Sequence, residues 1–261
     1  APLSVEYRGN TSEDRNDDSL KDMFAGLRAG EVAKTSAVNP SRWSQAMEKA
    51  LAAGKDVLVL AFSSGLSTTY QSAVIAAEEL KDAYPDRKIQ VIDTLCASMG
   101  EGLLVWYACK KRDEGLSLDE VAQWVLDNRL HLCHWFTVDD LMHLQRGGRV
   151  SAATALVGTM LSIKPVLHVD DEGHLINVGK ARGRKSSIQA LADKMGQLQI
   201  PGENDTVFIC HGDCIEDAKY LESLVKERYG VKNVLIYYTG AVIASHSGPG
   251  TLALFFLGEH R

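Results

Sequence analysis

The 261-residue chain predicts an α/β fold in two parts: a parallel-sheet N-terminal domain over residues 1–130 and a second α+β domain of mixed or antiparallel strands over residues 131–261. Three observations carry this prediction. Asp56-Val57-Leu58-Val59-Leu60-Ala61 is a continuous apolar run, the pattern of a strand buried on both faces of a parallel sheet. Through the first half, such runs alternate with helical segments, an order that needs crossover connections between parallel strands. Beyond residue 130, short strands follow one another with turn signals between them, as at Asp170-Asp171-Glu172-Gly173, which is the pattern of hairpins.

In chain order, Lys34-Thr35-Ser36-Ala37-Val38-Asn39-Pro40 leads into a helix, and the strand over 56–61 ends in Phe62-Ser63-Ser64-Gly65-Leu66-Ser67-Thr68-Thr69. A helix is predicted over 70–84, with Ser67 or Thr68 as its N-cap and Pro85 just past its end. A strand over 89–92 and helices over 98–114 and 117–128 complete the first half. Ligands of parallel sheets collect beyond the strands' C-terminal ends, so the loops Ser63 to Thr69 and Asp93 to Gly100 are predicted to open on one edge. In the second half, strands are expected over 134–138, 166–169, 175–178, 206–210, 234–238 and 252–256, with helices over 187–198 and 215–229.

The hydroxyl-rich junction at Ser63 to Thr69 supports two readings. Converging backbone N–H groups and the positive end of a helix dipole form a place for an anion; equally, the hydroxyls can simply cap the helix. The lysine and spacing of a nucleotide P-loop are missing. Leu144-Gln145-Arg146-Gly147-Gly148-Arg149-Val150-Ser151 reads either as a glycine C-cap with arginines favouring a helix C-terminus or as a guanidinium fork for a carboxylate or phosphate. Lys180-Ala181-Arg182-Gly183-Arg184-Lys185 reads as a solvated helix entrance or as a patch for a phosphate or an acidic partner. His246 lies among small residues in Ser245-His246-Ser247-Gly248-Pro249-Gly250.

Composition narrows the partners. Twenty-eight Lys and Arg against 34 Asp and Glu leave a formal charge of -6, with no basic block of the kind that binds nucleic acid or a membrane surface. The five cysteines include no repeated C-x-x-C spacing, so neither a disulfide framework nor a zinc site is expected, and a reducing cytoplasm fits them. Cys210-His211-Gly212-Asp213-Cys214 has too few ligands for a structural metal. No apolar stretch reaches transmembrane length and no charged leader precedes a hydrophobic segment, so the expectation is a protein neither exported nor embedded.

Several motifs, in register along the whole chain, resemble the DegV family of bacterial fatty-acid-binding proteins: Ala1 to Val5, Lys34-Thr35-Ser36, Ser63 to Ala73, Asp93 to Gly102, Leu144 to Ser151, Ile163 to Leu167, and His246 to Thr251. The resemblance implies a DegV-like fold holding one long-chain fatty acid in an apolar tunnel between the domains, with no other cofactor and no metal. It further implies that Thr35, Ser63, Ser64 and His246 bind the carboxylate. Arg149 and Arg182 would then face an incoming phosphate or a separate ATP-dependent kinase that converts the bound acid to an acyl phosphate. On this reading the chain is a binding subunit rather than an enzyme. From the residues alone, two other chemistries stay open. One is a serine hydrolase using Ser63 or Ser64 with His246 or His211 and Asp93, although Phe62-Ser63-Ser64-Gly65 is not a G-x-S-x-G elbow. The other is a sugar-phosphate or nucleotide binder with no oily tunnel.

Overall fold

A computed structural model of the chain describes residues 1–14, 19–152 and 162–261. An antiparallel sheet in the order β2-β1-β3 comes first, made of β1 (Ser4–Tyr7), β2 (Asn10–Glu13) and β3 (Lys34–Ser36), with α1 (Ser19–Arg28) between the last two strands. Sequence reasoning did not anticipate these strands or α1; strands of three or four residues of mixed polarity carry almost no periodic signal. α2 (Pro40–Leu51) starts cleanly: Asn39 Oδ1 accepts the Arg42 N–H and Pro40 occupies the first turn, where its missing donor costs nothing.

The predicted parallel pair follows. β4 (Val57–Ala61) and β5 (Ile89–Asp93) pair in register from Val57–Ile89 to Ala61–Asp93, with α3 (Thr69–Ala83) as the crossover. α4 (Ser98–Asp113) and α5 (Leu118–Asn128) come next, the latter opened by a reciprocal Ser117–Glu120 capping box. α2 and α3 cover one side of the β4–β5 pair, and α5 packs against both strands. The boundary expected at 130 falls in the turn between α5 and β6 (Leu132–Thr137).

The remaining strands join β6 in one sheet: β7 (Ile163–Val169), β8 (Leu175–Arg182), β9 (Thr206–His211), β10 (Asn233–Tyr238) and β11 (Leu252–Leu257), in the order β10-β9-β11-β6-β7-β8. Only β10 and β9 run parallel; every other neighbour is antiparallel, as the expected mixed sheet requires. β6, β9 and β11 are buried at every position. They alternate strictly between two cores: Phe136, Phe208, Cys210, Ala253 and Phe255 point to the side of α4, whereas Trp135, Val207, Ile209, Leu254 and Phe256 pack beneath α7 (Arg184–Leu198) and α8 (Ile215–Tyr229). α6 (Met142–Arg146) packs against α9 (Ala241–Ser247), a helix without a sequence expectation. The predicted helix entrance at Lys180 to Lys185 is also corrected: Lys180 to Arg182 finish β8, and the helix starts only after Gly183, whose φ of 86° breaks the strand.

Candidate functional site

A cavity of about 480 Å³ lies where the loops after β4 and β5 meet α9 and the α4-facing side of the large sheet. That is within the usual size of a small-molecule site. Its wall divides into a polar corner and a long apolar remainder, and among the described residues no Asp or Glu lines it.

The polar corner is built by a chain of contacts. Thr35, on β3 opposite Val5, places Oγ1 2.8 Å from His246 Nε2. The His246 ring lies against Gly147, where a Cβ would fall 2.2 Å from Nδ1, so only glycine admits the imidazole there. The Arg149 guanidinium reaches back to donate to the Gly147 carbonyl and donates at 3.0 Å to the Leu66 carbonyl. Leu66 sits between Ser64 and Thr68, which also line the cavity. β3, α9, the turn after α6 and the loop after β4 therefore converge on one point.

Burial, with the Arg149 charge second, pushes the His246 imidazole down to about 4, so the ring is neutral at physiological pH. Its Nδ1 is buried without a hydrogen-bond partner. With the proton on Nε2, the imidazole donates to Thr35 Oγ1 and the threonine keeps its own hydrogen to donate into the cavity. Arg149 is half-buried, forms no ion pair among the described residues, and burial lowers its pKa. Two of the five N–H donors of a guanidinium are taken by the carbonyls, so charge and donors remain for an anion.

The polar groups elsewhere in the wall are already satisfied. His134 is buried with Nε2 accepting the Ala97 N–H at 3.2 Å and Nδ1 donating to the Leu132 carbonyl at 3.0 Å. Ser98 Oγ meets Cys210 Sγ at 3.4 Å, Ser247 Oγ donates to the Ile243 carbonyl, and Thr251 Oγ1 shares its donor between the Ser247 and Gly248 carbonyls. These residues present little but carbon to the interior, beside Phe136, Leu144, Leu175 and Phe255.

The six sequence-predicted residues separate. Thr35, Ser64, Arg149 and His246 come together around the cavity. Ser63 does not: it is fully buried, its hydroxyl donates to the Gly173 carbonyl at 2.9 Å and accepts the Gly65 N–H, tying the loop to the β7–β8 turn. The chain turns at this point, with the Leu66 and Ser67 N–H groups donating to the Ser63 carbonyl, and Ser64 at the start of the turn lines the cavity while Ser63 is held away from it. Arg182 is exposed at the end of β8, opposite Ile163, outside the cavity wall. Arg149 is part of the cavity wall itself and not an outer rim. At the start of α3 the capping hydroxyl is Ser67, which accepts the Thr69 N–H, while Thr68 in the N-cap position makes no capping bond.

The hydrolase arrangement is not assembled. Neither Ser63 nor Ser64 hydrogen-bonds a histidine, the Asp93 carboxylate holds backbone N–H groups, and His211 Nδ1 accepts the Cys214 N–H. Among the described residues no three His, Cys, Asp or Glu are grouped to hold a metal. No described helix is long and apolar enough to cross a membrane. Sequence reasoning missed His134 and Gly147 as site-forming residues. Only the double glycine at 147–148 hinted at a close approach, and nothing local marks a histidine whose partners lie across the fold.

The sequence model described as "Uncharacterised protein, DegV family" matches residues 1–259. The chain belongs to the DegV family. A DegV domain-containing protein of Clostridium perfringens, CPE0026, is 46% identical over 268 residues, covering 99% of this chain and 92% of that one. Among solved structures, a DegV family protein from Thermus thermophilus, described for fatty acid binding, matches with a TM-score of 0.86 at 31% identity, over 98% of this chain and 90% of that one. The Fatty Acid Kinase (Fak) B3 protein of Streptococcus pneumoniae, loaded with linoleic acid, shares the fold with a TM-score of 0.88 at 23% identity, over 99% and 90%.

Proposed function

We propose that this DegV chain binds one long-chain fatty acid, with its carboxylate at Thr35, Ser64, Arg149 and His246 and its hydrocarbon along Phe136, Leu144, Leu175 and Phe255. The carrying observation is the division of the cavity wall: among the described residues, the unsatisfied donors and the one ionised group, a cation, stand at one corner, while the polar side chains elsewhere are bonded to protein. An amphipathic anion matches that division, and a sugar phosphate or nucleotide leaves most of it unused. Each buried methylene contributes about 0.8 kcal/mol, so a dozen supply on the order of 10 kcal/mol before ordering costs. An ionised carboxylate gains about 1.5–3 kcal/mol per hydrogen bond, and the anion favours the Nε2–H form of His246, which frees the Thr35 hydrogen for it.

The finer reading is that the chain is a non-enzymatic subunit presenting the carboxylate to a separate ATP-dependent kinase for conversion to an acyl phosphate. Residues 1–130 would bring Thr35 and Ser64 to the head group, and residues 131–261 would add Arg149 and His246 and close the tunnel. The motif resemblance supports this, as does the position of Arg182, exposed and free for a partner. Free cysteines throughout fit a cytoplasmic setting. Native mass spectrometry of the purified protein, followed by lipid extraction, tests the binding reading: a co-purifying long-chain acyl mass is expected. A protein that is empty as purified and takes up no added stearic acid overturns it. For the kinase step, Arg182→Ala is expected to lower hydroxylamine-trapped acyl phosphate in the presence of kinase and ATP with an unchanged stearate Kd; weakened binding with intact turnover refutes that role.

A further inference from the structure

Asp93, at the end of β5, forms no ion pair among the described residues, yet its carboxylate stands at the seam between the two loops that open on the cavity. Oδ1 accepts the Leu95 N–H at 3.0 Å within its own loop and the Ser64 N–H at 3.2 Å from the loop after β4. Around it the loops are stitched by Ser63 N–H to the Cys96 carbonyl at 2.9 Å and Thr94 Oγ1 to the Ala61 carbonyl at 2.7 Å. Leu95 has φ of 53°, a left-handed conformation unfavourable for a branched side chain and held only where its surroundings dictate it.

We infer that Asp93 is the positioning residue of the head-group site: by occupying the Ser64 N–H it turns that residue so that the hydroxyl, and not the amide, faces the cavity. The inference rests on the fatty-acid reading and deepens it. Ser64 Oγ makes no hydrogen bond among the described residues, so it is left to meet a ligand in the cavity. A charged acceptor strengthens both N–H contacts relative to a neutral one. Asp93 itself does not line the cavity, so it acts through the loop it holds and makes no contact with a ligand.

The test measures Kd for stearic acid and for methyl stearate, by displacement of a fluorescent fatty acid, in wild type, Asp93→Ala, Asp93→Asn, Ser64→Ala and Asp93→Ala/Ser64→Ala. Asp93→Ala is expected to weaken the acid about ten-fold, the equivalent of one charge-assisted hydrogen bond, and to leave the ester within two-fold. In the Ser64→Ala background its effect on the acid should shrink to less than three-fold. Asp93→Asn, whose Oδ1 still accepts, should restore acid binding to within three-fold of wild type. Equal losses for acid and ester, or losses that multiply in the double variant, overturn the role. If Asp93→Ala does not fold, amide hydrogen exchange in wild type decides: slow exchange at Ser64 and Leu95 is expected, and fast exchange at either overturns the clamp. A wild type that binds neither acid nor ester refutes the fatty-acid reading instead, which separates the two failures.

Discussion

Replacing Gly147 by alanine isolates the polar corner from the rest of the protein. Its Cβ would fall 2.2 Å from His246 Nδ1 and 3.1 Å from Cε1. Ordinary contact needs about 3.5 Å, so the ring has to retreat by more than about 1 Å, enough to break the 2.8 Å contact with Thr35 Oγ1. The backbone is not the obstacle, since Gly147 caps α6 with φ of -74°, which alanine adopts freely. Overpacking costs about 1–3 kcal/mol in stability, and loss of an oriented donor to a carboxylate adds about 1.5–3 kcal/mol in binding, roughly ten- to a hundred-fold in Kd. Gly148→Ala is the control: its φ is 72° and nothing lies within 4 Å of the added atom, so it should lower Tm through backbone strain while leaving His246 in place. Stearate binding and thermal unfolding of both variants are the assays. If Gly147→Ala binds stearate within two-fold of wild type, the argument that His246 and Thr35 orient the head group is wrong.

Ser63 and Ser64 should behave oppositely. Ser64→Ala is expected to raise the stearate Kd about ten-fold with little change in Tm, while Ser63→Ala strands the buried Gly173 carbonyl and costs about 1–3 kcal/mol of stability by chemical denaturation. Filling the apolar part with Ala253→Phe should abolish the gain in affinity from decanoate to stearate, which titration along a chain-length series reads directly. The pH response follows from His246. Its folded pKa of about 4 lies below the roughly 6.5 of a free imidazole, so the unfolded chain takes up the proton first. Stability is therefore full above about pH 6.5 and falls as pH drops toward 4, by up to about 1.4 kcal/mol per unit for this group, with buried His134 acting in the same direction. Unfolding free energies of His246→Gln measured across that window should show a shallower slope; an unchanged slope refutes the assignment.

The elements legible in the sequence were those with continuous apolar runs or long uninterrupted helical stretches: the buried strands at Val57, Thr206 and Leu252 and the helices after Thr69, Ser98 and Ile215. Short elements whose form is set by their neighbours were not. β1 to β3 exist because they pair with one another, and α9 because it packs against them and α6. The same holds at the site. Hydroxyls near a strand end could be picked out, but which of two adjacent serines faces inward depends on Gly173, 110 positions away along the chain. Arg149 was visible as a candidate anion group, whereas its place within the cavity wall depends on the carbonyls of Gly147 and Leu66.

β11 lies in the middle of the large sheet, hydrogen-bonded to β9 on one side and β6 on the other, although it is the last strand in the sequence. Its Ala253 and Phe255 form part of the cavity wall. During synthesis the two sides of that sheet thus wait, unjoined, until residue 257 has left the ribosome, and long-range pairings of this kind form slowly. The cavity wall is therefore incomplete until β11 has paired, and any ligand that depends on Ala253 and Phe255 can be held only after that step.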